Sequence, residues 1–68
     1  MEKGWVIAYT TNQEYKAGIF REVLSNNGIP AHIINKMDRI YQTFGEIEVY
    51  VPDSHILKAK MLVREFEG

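Results

Sequence analysis

Few side chains in this sequence are of types that move protons or hold ions, and their spacing does not favour catalysis. His32 and His55 are far apart, and there is no cysteine. No thiolate nucleophile, disulfide or His/Cys metal cluster is therefore expected. His32 falls on an expected strand beside Glu46 or Glu48. A His–carboxylate pair with no nucleophile near is more often a surface hydrogen bond than an acid–base device. Ser25 and Ser54 fall at helix ends, where hydroxyls cap, and His55 falls in a first helical turn. No catalytic residue, metal or cofactor is assigned, and a non-enzymatic role is expected.

The remaining chemistry gathers in one stretch, Asn35 to Gly45, "NKMDRIYQTFG". Lys36 and Arg39 could hold a phosphate or carboxylate, while Asn35 and Asp38 could hydrogen-bond a ligand or cap the loop itself. Tyr41 and Phe44 could anchor the loop on the end of a sheet. Gly45 supplies backbone freedom where the next strand begins. A two-residue turn would have closed a hairpin here, and this loop is longer than hairpin norms. Long loops on a rigid scaffold are common binding sites. Asn35, Lys36, Asp38, Arg39, Tyr41 and Phe44 are thus the candidate partner or ligand site, against the plainer reading of solvated charges and structural anchors.

The elements that must position this loop follow from the punctuation. "GWVIAYT", Gly4 to Thr10, is rich in β-branched and aromatic residues and reads as a strand. Thr11 followed three residues later by Glu14 has the form of a capping box, so a helix should run to about Asn26. Ala17, Phe20, Val23 and Leu24 share its apolar face. Gly18 in mid-helix should cost ~1 kcal/mol against Ala. Asn27-Gly28 supplies a left-handed stop, and Pro30 forbids continuation. "AHIIN", Ala31 to Asn35, is the second strand. "EIEVYV", Glu46 to Val51, is the third, with Ile47, Val49 and Val51 on one face. Asp53 then caps a second helix with an apolar stripe of Ile56, Ala59, Leu62, Val63 and Phe66, leaving Lys58, Lys60 and Arg64 to water.

The order β-α-β-β-α predicts an α+β, ferredoxin-like domain spanning 1–68. A three-stranded antiparallel sheet of order 1-3-2 would carry two helices on one face. The fourth strand usual in that fold is not expected, so the first strand becomes an edge with few charges to protect it. Two helices cover one side only. If Val6 and Ala8 face them, then Trp5, Ile7 and Tyr9 face the other way, beside Ile34, Tyr50 and His32. A contiguous apolar patch of that kind marks an interface. The alternative parity would put Trp5 and Ile7 in the core.

Sixty-eight residues give ~60% burial of the unfolded surface, which leaves a lone domain marginal. Strand edge and apolar face together would stabilise a symmetric oligomer. The net charge of −1 removes the broad electrostatic case for nucleic acid. Glu46 and Glu48 on the sheet argue further against base stacking there. The hydrophobic fraction of 46% excludes disorder. No apolar run approaches membrane-spanning length and no secretory signal is recognisable, so a cytoplasmic location is the default expectation.

"GWVIAYTT", "LSNNGIPA", "NKMD" and "FGEIEVYVP" together resemble the small bacterial domains of the prokaryotic signal-transducing protein family, whose function is unknown. The resemblance covers essentially the whole chain. It implies a βαββα ferredoxin-like fold grouped with the PII-like nitrogen-regulatory proteins. In those proteins a long loop joins the second and third strands and reaches partners, and the sheets of a trimer face inward, which here would bury Trp5, Ile7 and Tyr9. The loop here is far shorter, the fourth strand is missing, and no nucleotide-binding motif is present, so no ATP site is carried over. The expected function is a regulatory or protein-interaction module that self-associates through the open sheet face and uses the 36–45 loop for recognition. The alternatives are a sensor of a small anion or metabolite, and, less favoured, a nucleic-acid-binding module.

Overall fold

In the computed structural model, residues 4–36 and 47–68 are described. The chain forms β1 (Trp5–Thr11), α1 (Glu14–Asn26), β2 (His32–Asn35), β3 (Ile47–Pro52), a 3-10 turn (Asp53–His55) and α2 (Ile56–Glu67). The sheet has the order β1-β3-β2, and both pairings are antiparallel. This is the ferredoxin-like βαββα arrangement expected from the order of elements. In it α2 lies mainly on β1, while α1 reaches all three strands.

The core forms because each element presents one apolar stripe to the same layer. Phe20, Leu24, Ile47, Val49 and Val51 are fully buried, each contributing ~1.5–3 kcal/mol by removal from water. Ala17 and Ala59 let the helices sit close to the strands. Tyr9, Phe20 and Phe66 form a ring cluster, with centroids 5.0, 5.4 and 5.8 Å apart. Lys58, Lys60 and Arg64 face water, as the α2 stripe requires.

α1 stops where the Asn-Gly pair demands. Gly28 takes φ +73°, its amide donates to the Ser25 carbonyl at 3.0 Å, and the Ile29 amide donates to the Leu24 carbonyl at 2.9 Å. This is a Schellman motif, completed by contact between the buried Leu24 and Ile29. The helix starts differ from expectation. Thr11 ends β1, and its hydroxyl accepts from the Gln13 amide at 3.1 Å, so Gln13 rather than Thr11 precedes α1 and the capping box does not form. Asp53 likewise opens a 3-10 turn, and α2 begins three residues later at Ile56.

The largest departure is a β-bulge in β1. Ile7 pairs with Tyr50 and Tyr9 with Val49, so Ala8 is an extra residue with no partner of its own. Before the bulge the alternation is as read, with Val6 turned to the helices and Trp5 and Ile7 to the opposite side. After it the parity is reset. Tyr9 enters the core at 6% exposure, and Ala8 beside it is also buried. The expectation that Tyr9 shares the open face with Trp5 and Ile7 is therefore corrected. One inserted residue turns its ring under the helices.

Candidate interaction site

The face of the sheet away from both helices carries Trp5, Ile7, His32, Ile34, Glu48 and Tyr50. The register dictates this set, because Tyr50 opposes both Ile7 and His32, and Glu48 opposes Ile34. Trp5 reaches across to His32, with ring centroids 4.6 Å apart. Ile7 is 38% exposed, and Trp5, Ile34 and Tyr50 are half-buried.

The polar part of this face is a three-member network. The Tyr50 hydroxyl donates to Glu48 Oε1 at 3.0 Å, and Lys36 Nζ lies 3.1 Å from the same oxygen. That hydrogen bond to a carboxylate, with burial second, raises the Tyr50 phenol above its ordinary value. The Glu48 carboxylate thus joins the end of β2 to β3. Asn35 points to the other side, where its Nδ2 donates to Glu14 Oε1 at 2.9 Å and ties β2 to the start of α1.

Of the loop residues singled out above, Asn35 and Lys36 are placed as described. Asp38, Arg39, Tyr41 and Phe44 lie outside the described residues, as does Glu46. Of the expected face residues, the structure brings together Trp5, Ile7, Ile34 and Tyr50 and removes Tyr9. The Lys36–Glu48–Tyr50 network was not read from the sequence. The signal for it was the i, i+2 spacing of Glu48 and Tyr50, which puts both on one side of a strand.

A second feature lies at the rim. Between β1 and α2 runs an open groove of about 260 Å³, bordered by Ile7, Ala8, Tyr9, Thr10, Lys60, Val63 and Glu67. The Tyr9 hydroxyl crosses its end to donate to Glu67 Oε1 at 3.0 Å, and Lys16 Nζ lies 3.9 Å from the other oxygen of Glu67. Burial first, and the Glu67 hydrogen bond second, raise the Tyr9 phenol. No sequence signal marked this groove, because the bulge that shapes it has no residue signature here.

Among the described residues, no three His, Asp or Glu side chains come together to hold a metal ion, and no helix is long and apolar enough to cross a membrane. The arrangement offers apolar contact, a compensated charge network and a strand edge. No curated protein and no solved structure matches the chain. A family match covers residues 5–67, nearly the whole length. The chain belongs to the family described as "Putative prokaryotic signal transducing protein".

Proposed function

We propose that this chain is a small, non-catalytic regulatory module of the cytoplasm that self-associates through the open face of its sheet. One observation supports this above the others. Trp5, Ile7, His32, Ile34 and Tyr50 share the side that neither helix covers. A chain this short gains stability by burying such a patch against a copy. The segment 36–45 is then the one through which a protein partner is recognised. The family description supports the signalling class. The ion pair between Lys36 and Glu48 weighs against an anion sensor at this position, because the lysine charge is already compensated.

Sedimentation equilibrium over a wide concentration range tests the reading. The unmodified chain should show a mass above that of one copy. Ile34→Glu and Tyr50→Glu, which place charge on the face, should lower that mass by removing the face contact. A strictly monomeric unmodified chain at the highest concentrations would refute the proposal.

A further inference from the structure

The rim of the sheet carries an inference separate from its face. Among the described residues β1 is an edge strand, bonded to β3 on one side only. The Asp53 amide donates to the Gly4 carbonyl at 2.7 Å. Antiparallel ladders alternate, so Val6 is bonded inward, while Trp5 and Ile7 aim their N–H and C=O groups outward. The bulge then makes Thr10, not Tyr9, the next outward residue. Outward groups are thus separated by two residues across the bulge, where a regular strand has one.

We propose that this edge pairs with the β1 edge of a second copy, antiparallel about a two-fold axis at the bulge, so that two three-stranded sheets become one of six. Four observations select a copy over any other strand. The bulge interrupts the even spacing that a regular strand presents. A copy matches the outward groups at Ile7 and Thr10, since Ile7 of each faces Thr10 of the other across equal lengths of chain. β1 carries no charged side chain, so no like charges meet in the seam. The groove charges are also self-complementary. In the groove Lys60 and Glu67 of α2, about two helical turns apart, stand beside Ile7 to Thr10 of β1. α2 returns antiparallel to β3 and so runs with β1. The axis that sets Ile7 against Thr10 therefore brings Lys60 of each copy toward Glu67 of the other. This contact uses the rim and holds whether or not the open face also packs.

Two measurements test it. In hydrogen exchange the Ile7 and Thr10 amides should become protected as concentration rises, while the outward Ile33 amide on the opposite edge should not. Exchange of Ile7 and Thr10 at unprotected rates at every concentration would overturn the proposal. Separately, Lys60→Glu and Glu67→Lys should each weaken the dimer about tenfold, because two attractions become repulsions. Mixing the two variants should restore association, since both contacts become attractive again. A mixture no tighter than either variant alone would overturn the proposed axis. Ile34→Glu, which disrupts the face, should leave the rim contact intact.

Discussion

Replacing Tyr9 by Phe removes one oxygen and keeps the ring between Phe20 and Phe66, at 5.0 and 5.8 Å. The lost hydroxyl donates at 3.0 Å to Glu67, whose side chain is 45% exposed. Hydrogen bonds to charged groups contribute ~1.5–3 kcal/mol when desolvated, and solvent screening at Glu67 reduces this to about 1 kcal/mol. In a domain of this size that lowers Tm by about 4–8 °C. Tyr9→Ala also removes the ring and should cost about 3–5 kcal/mol, comparable to the whole stability of roughly 3–10 kcal/mol. Ile7→Ala, two residues earlier on the opposite face and 38% exposed, should cost less than about 1 kcal/mol. Thermal and urea unfolding, followed by circular dichroism, measure all three. If Tyr9→Ala proves no more damaging than Ile7→Ala, the face switch at the bulge is wrong.

Gly18 and Gly28 should respond with opposite signs to the same change. Gly18 has open space around a Cβ, so Gly18→Ala should stabilise α1 by about 0.5–1 kcal/mol. Gly28 also has open space, but its φ of +73° makes Gly28→Ala strained, and about 1 kcal/mol should be lost. A urea midpoint that moves the same way in both would contradict the assignment of the helix end. The raised Tyr9 phenol gives a signed alkaline response. Its folded-state value lies above the unfolded one, so its contribution is complete below about pH 10 and is lost as pH rises through the folded value. The stability gap between the unmodified chain and Tyr9→Phe should therefore shrink as the pH passes about 10. A gap that stays constant through that range would show the phenol to be unperturbed.

The fold was readable because its signals are local. The alternation of Ile47, Val49 and Val51, the stripe of Phe20 and Leu24, and the Asn27-Gly28 stop each follow from periodicity or backbone freedom within a few residues. The helix starts were less legible. Thr11 has the chemistry of a cap but is held in β1 by pairing with Ile47, and its hydroxyl serves Gln13 instead. Tyr9 was misplaced for a different reason. A strand's parity is counted from its neighbours, and an unpaired Ala8 breaks the count without leaving a mark in residue type. The open face was therefore legible up to Ile7 and wrong beyond it. The Lys36–Glu48–Tyr50 network needed the pairing register that joins β2 to β3.

The unpaired alanine has one more consequence. Removing Ala8 would leave every other residue of β1 opposite its present partner, because Ile7 and Tyr9 already face adjacent positions of β3. The inside and outside of the sheet would be unchanged, apart from a methyl-sized gap. What would change is the selectivity of the rim. An evenly spaced, uncharged strand accepts any extended chain that drifts against it. A single deletion would thus convert a discriminating border into a promiscuous one, and the shortened chain should precipitate where its parent stays dissolved.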